Sequence, residues 1–196
     1  AARRTGRTVT ATMNARHARE ATRVKALLQE GAIGDVLSVD FHEYLDTSHG
    51  ADYFRRWHRL RSKSGSLWVH KSSHHFDLVN WWLDADPVEV SAVSHLRRYG
   101  KTGAVRHTHC RTCPHKASCE FFFDMIENPQ LMALYAGPAG ADGYLRDGCV
   151  FREDCDIWHT MSPVISQPDG TTTTYSLDAL RPLQGLNRAG DFEGGG

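Results

Sequence analysis

The sequence predicts an α+β fold: a largely antiparallel open sheet with helices on one face. Three observations carry this reading. Two stretches, Ala18–Glu30 and Ser72–Leu83, place apolar residues at the helical period. Asp35–Leu45 alternates apolar and polar residues, as a strand with one covered face does. Two further strands, 156–165 and 171–177, are joined by Gln167–Gly170, "QPDG", a turn sequence that folds them into a hairpin. The order β-α-β-α-β-loop-β-β then stacks helices on one side of a sheet. The other side is left for a second subunit or domain.

The elements follow in chain order. Thr8–Met13 alternates β-branched and small residues and predicts a short strand. In Ala18–Glu30, Ala21, Val24, Leu27 and Leu28 fall on one face, and Gly31 is placed to end the helix as a left-handed cap. In Asp35–Leu45, Leu37, Val39, Phe41 and Leu45 oppose Ser38, Asp40 and His42. His49–Ser64 is basic and aromatic with little periodicity, and reads as a long loop with a helical turn. Ser66–Val69 reads as a short strand after Gly65. In Ser72–Leu83, Phe76, Val79 and Leu83 make a stripe that Leu78 and Trp82 widen, and Pro87 stops any continuation. Val88–Tyr99 reads as another strand. Residues 106–155 are irregular and bear the cysteines; a stretch of that length without periodicity is usually functional or mobile. The closing "RAGDFEGGG" reads as frayed.

Composition narrows the function. The 196 residues suffice for one core, or for one domain plus a fragment. Lys and Arg together number 23, as do Asp and Glu, so the formal net charge is zero, which disfavours a general nucleic-acid binder. No run of about 18 apolar residues exists to span a membrane. The first residues lack both an initiator Met and the apolar core of a signal peptide, so a piece of a longer, cytoplasmic protein is expected. The five cysteines are an odd number, which argues against a complete disulfide framework and for thiols that are free or on metal.

The polar cluster in "SLWVHKSSHHFDLVNWW" holds the candidate chemistry. His70, Lys71, His74, His75 and Asp77 crowd the start of the second amphipathic helix. An imidazole beside a carboxylate suits proton transfer at a hydroxyl near neutral pH. Lys71 adds a cation able to polarise a carbonyl or steady an alkoxide. The same residues also read as structure: His75 as a packed ring, Asp77 as a charge at the helix N-terminus. A zinc pair from His70 and His74 has the spacing of a helical metalloprotease motif, but Lys71 between them would repel a dication. Upstream, Tyr53, Arg56, Trp57 and His58 read either as a sugar-binding wall or as a solvated loop anchored by its rings.

Three segments together resemble a known family. "GAIGDVLSVDFHEYLDTSHGADYFRRWHR", "SGSLWVHKSSHHFDLVNWWL" and "DPVEVSAV" are similar to the C-terminal domain of the Gfo/Idh/MocA NAD(P)-dependent oxidoreductases of sugars and polyols. The resemblance runs from about Asn14 to Leu183. It implies that His74, two residues before Phe76-Asp77, is the catalytic histidine. Many members carry an aspartate four residues earlier; His70 stands there, followed by Lys71. Beside the resemblance, Tyr53, Arg56, Trp57, His58 and Asp77 are the expected substrate-binding residues, and the sheet face left without helices is where a homo-oligomer is expected to form. The resemblance also implies an N-terminal Rossmann domain with the dinucleotide fingerprint, and that domain is absent from this sequence. The glycines of "GPAGADG" lack the strand-to-helix setting of that fingerprint.

The domain organisation expected on this basis has three parts. Residues 1–13 are the end of, or a link from, the nucleotide-binding domain. Residues 14–183 are the substrate and oligomerisation domain with the 106–155 insertion. Residues 184–196 are a frayed or truncated tail. The cysteine spacing, Cys110-x-x-Cys113-x5-Cys119 with Cys149 later, reads either as a structural zinc set or as reduced thiols packed in a loop. The functional expectation is the catalytic-histidine half of an oxidoreductase that uses NAD or NADP on a sugar-like substrate. The alternatives are an NAD-assisted glycosidase domain and a non-catalytic sugar-binding or oligomerisation module.

Overall fold

A computed structural model describes residues 2–10, 12–181 and 185–192, the last segment and Arg181 as backbone. Five strands form one sheet: β1 (Val36–Asp46), β2 (Glu89–His95), β3 (Thr160–Ser166), β4 (Thr172–Arg181) and β5 (Gly185–Phe192). Their spatial order is β2-β3-β4-β1-β5. Every neighbouring pair is antiparallel except β1 with β4. The sheet is therefore open and largely antiparallel, as the alternation predicts.

Alternation decides which face is covered. Phe41 and Leu45 on β1, Met161 and Ile165 on β3, and Tyr175, Leu177 and Ala179 on β4 are buried. The intervening residues form a polar outer face. There His42 shares a 2.6 Å hydrogen bond with its register partner Ser176, and Thr174 bonds to Asp40. Val93 and Val164 stand exposed on that face, at 61% and 49%.

Two long helices, α1 (Arg19–Gln29) and α4 (Ser73–Leu83), are the two that the apolar period predicts. They are pinned to each other. Trp82 Nε1 donates to Ala21 O at 3.0 Å, and buried Lys25 donates to Trp81 O at 2.6 Å while pairing with Asp84. Leu78, Val79 and Trp82 enter the same core as Phe41, Leu67 and Tyr175.

Several expectations give way. Residues 8–10, 12 and 13 form no strand. The predicted loop after β1 is mostly helical: α2 (Thr47–Arg55), a 3-10 turn at Trp57–Arg59, and a single turn at Arg61–Ser64. Asp46 caps α2, accepting from His49 N–H at 2.7 Å. A Cβ at Gly50 would stand 2.1 Å from the Ala179 carbonyl oxygen, so glycine lets α2 lie directly on β4. The predicted strand at Ser66–Val69 is instead helix α3 (Ser66–His70). Strand β2 is shorter than the predicted Val88–Tyr99, and residues 185–192 of the expected tail pair with β1 as β5. Residues 193–196 lie outside the described residues.

Candidate functional site

The site begins with a backbone device. Gly65 and Ser66 are both left-handed, at φ +68° and +66°. A Cβ at Gly65 would stand 2.7 Å from Val69 Cβ. A serine in this region is strained by about 1–2 kcal/mol. Hydrogen bonds hold it: Ser66 N–H donates to Ser64 Oγ at 2.9 Å, and Ser64 Oγ donates to His58 O at 2.8 Å. The double turn reverses the chain so that α3 delivers His70 beside the 3-10 turn carrying Trp57 and His58.

Rings collect around His70. Its centroid lies 4.2 Å from His58, 5.6 Å from Tyr53 and 5.8 Å from Trp57. Trp57 stacks on His58 at 3.8 Å and remains 37% exposed. Burial, helped by His70 and Arg56, pushes the His58 imidazole down to about 4. Burial and the cations of Arg56 and Lys71, with His74, shift His70 in the same direction. Burial and the carboxylates of Glu43 and Asp52 move the Tyr53 phenol up.

Lys71 follows His70, and its ammonium pairs with Glu43 at 3.2 Å. Glu43 is 6% exposed and lies 3.9 Å from His75 Nε2. His75 turns inward, sharing a 2.9 Å hydrogen bond with Tyr175 OH, which also bonds Ser72 Oγ at 2.8 Å. His74 occupies the first turn of α4 and is half-buried; its Nδ1 has no hydrogen-bond partner among the described residues.

The sequence-derived residues thus divide. Tyr53, Trp57, His58 and His70 are brought together, with Lys71 and His74 in the chain that continues from His70. Asp77 is used otherwise: Arg16 grips it from the 3-10 turn Asn14–His17, with Nε to Oδ2 at 2.6 Å. Arg56 donates to Tyr144 OH at 2.9 Å, which ties it to the cysteine-bearing insertion. Sequence reasoning missed Glu43. The available signal was its parity: it shares the covered face of β1 with Phe41 and Leu45, where a carboxylate needs a partner. It also missed the left-handed Ser66, for which no local signal exists.

Two larger cavities lie elsewhere. One of about 640 Å³ sits at the far ends of α1 and α4, and one of about 400 Å³ lies between α2 and the insertion. Neither is lined by His70, Lys71 or His74.

The zinc expectation is not supported. Among the described residues no three His, Cys, Asp or Glu side chains are grouped to hold a metal ion. Cys110, Cys113, Cys119 and Cys149 are free thiols facing one cavity of about 20 Å³. Arg55 supplies a physical reason: its guanidinium donates to Cys110 Sγ at 3.4 Å and puts a positive charge where a metal cation would have to bind. No described helix is long and apolar enough to cross a membrane.

Comparison with known proteins bears on the fold and the family. Residues 25–116 match the family described as the oxidoreductase family, C-terminal alpha/beta domain, of the Gfo/Idh/MocA group. YteT of Bacillus subtilis, provisionally named an oxidoreductase, is 36% identical over 196 residues, covering 90% of this chain and 44% of that protein. The myo-inositol 2-dehydrogenase of Lactobacillus plantarum superposes with a TM-score of 0.59 at 14% identity, over 96% of this chain and 41% of that one. The scyllo-inositol dehydrogenase of Lactobacillus casei, solved with NAD(H) and scyllo-inositol, gives 0.59 at 14% identity over 99% and 42%. At that identity the two structures establish likeness of fold. The chain spans less than half the length of each of these relatives.

Proposed function

We propose that this chain belongs to the Gfo/Idh/MocA oxidoreductases through the C-terminal alpha/beta domain that residues 25–116 match, and that it forms the polyol-binding half of a nicotinamide-dependent dehydrogenase. The observation that carries the reading is the ring cluster around His70, continuous in the chain with Lys71 and His74. Trp57 and Tyr53 present flat apolar faces, which suit the axial C–H groups of a sugar or cyclic polyol. Low basicity keeps the His58 and His70 rings neutral near pH 7, so they exchange hydrogen bonds with hydroxyls without adding charge.

In this reading Lys71, held by Glu43, draws electron density from the reacting oxygen, and His74 takes its proton. Inositols are the substrates in the names of the structural relatives, which makes a cyclic polyol the first candidate class.

The described residues do not fit NAD or NADP. The glycines of 137–143 lie on and beside the single turn Ala139–Asp142, not between a strand and a helix, and form no pyrophosphate cradle. The proposal assigns binding of the cofactor to a nucleotide-binding domain outside these residues. It also assigns a homo-oligomer to the polar outer sheet face, where Val93 and Val164 are exposed. Sedimentation of the longer gene product should then give a dimer or larger, and a monomer at all concentrations contradicts that part.

The catalytic part is tested in the same longer protein. His74→Asn should lower kcat on its polyol by about 10²–10⁴, with NADH binding, read by fluorescence, unchanged. Wild-type kcat in that variant overturns the role of His74.

A further inference from the structure

The cysteine-bearing insertion is the part of the molecule that the proposed reaction leaves unused. Four thiols and Phe121 line its small cavity of about 20 Å³. That is room for about one water. Two of them share one turn. Cys110–Thr112 form a 3-10 turn, and Cys113 N–H donates to Cys110 O at 3.0 Å. In such a turn side chains three apart eclipse, so Cys110 and Cys113 leave the backbone on the same side of the turn. Cys110 is buried and Cys113 half-buried, so a small oxidant reaches Cys113 first. The Arg55 guanidinium, which also donates to Gly148 O and Phe121 O, contacts the Cys110 sulfur. The fifth thiol, Cys155, is buried elsewhere, facing Gly100.

We propose that Cys110 and Cys113 are a dithiol that closes to an intramolecular disulfide, with hydrogen peroxide as the oxidant. The Cys113 thiolate attacks one peroxide oxygen and the O–O bond breaks. This leaves a sulfenic acid on Cys113 and a hydroxide, which takes up the proton lost from Cys113. The Cys110 sulfur then attacks the Cys113 sulfur. The S–O bond breaks, and the departing hydroxide leaves as water with the Cys110 proton. The two sulfurs give up two electrons, and one peroxide becomes two waters. Arg55 favours the negative charge that develops on Cys110 as its proton leaves. Burial acts the other way and pushes the Cys110 thiol up, which fits it as the second sulfur to react and not the first. This chemistry is independent of the polyol reading.

Protein mapping tests it. Arg111 lies between the two cysteines, so trypsin separates them into peptides 107–111 and 112–116 unless a disulfide holds them together. The reduced full chain is treated with peroxide, alkylated with N-ethylmaleimide and digested. The expected result is a linked 107–111/112–116 pair, two fewer alkylated thiols of the five, and full reversal by dithiothreitol. Cys155→Ser should keep the link and Cys113→Ser should abolish it. If Cys113→Ser fails to fold, by circular dichroism, the wild-type and Cys155→Ser maps still decide. The proposal is overturned if all five thiols remain alkylated, or if Cys110 or Cys113 links to Cys119 or Cys149. It is equally overturned if the thiols react only after a chelator has removed a bound metal.

Discussion

At the scale of single residues, burial explains more of the site's chemistry than charge does. His58 is 5% exposed and its Nδ1 has no hydrogen-bond partner among the described residues. An unfolded histidine takes its proton near 6.5, whereas in the fold burial holds His58 down at about 4. Between these values the unfolded chain binds a proton that the folded chain refuses. The stability this supplies is complete above about pH 6.5 and is lost as pH falls toward about 4. The urea midpoint should therefore drop from pH 7 to pH 5, and His58→Phe, which keeps a ring against Trp57, should show a smaller drop. An identical drop in the variant would mean that other groups carry the acid sensitivity. Glu43 illustrates why part of the site was not legible. The alternation of β1 was plain, but a carboxylate on the covered face acquires meaning only when Lys71 arrives from another element 28 positions away.

At the scale of elements, legibility followed length. The apolar period of α1 and α4 and the alternation of β1, β3 and β4 were readable because each spans seven residues or more. Helix α3 was not. It is five residues long, starts from two left-handed residues, and contains Trp68 and Val69, which favour strands by propensity. Helix α2 hid because Gly50 reads as a breaker; the reason for that glycine is the backbone of β4, which no local pattern reveals. Asp77 is an element-scale lesson too. It sits on α4 at the spacing of a substrate ligand, yet it joins that helix to the Asn14–His17 turn through Arg16. Asp77→Asn should therefore cost about 1–3 kcal/mol in unfolding free energy and leave polyol KM nearly unchanged in the longer protein. A large rise in KM at wild-type stability would return Asp77 to the substrate.

At the scale of the whole molecule, the fold was legible from its order of elements, and the likeness to the family domain from three segments, two of which feed the core while the third, 86–93, stands exposed. The proposed catalytic arrangement is incomplete in one specific sense. His70, Lys71 and His74 line neither of the two larger cavities, and no described glycine turn cradles a dinucleotide. In the proposed function the ring cluster and α4 supply the polyol-facing wall on their own. Histidine-labelled NMR of this chain titrated with a cyclic polyol tests it most directly. The account predicts saturable shifts of the His70 and His74 ring signals, with His75, hydrogen-bonded to Tyr175, left still. Shifts confined to other histidines, or none at all at saturating polyol, would contradict it.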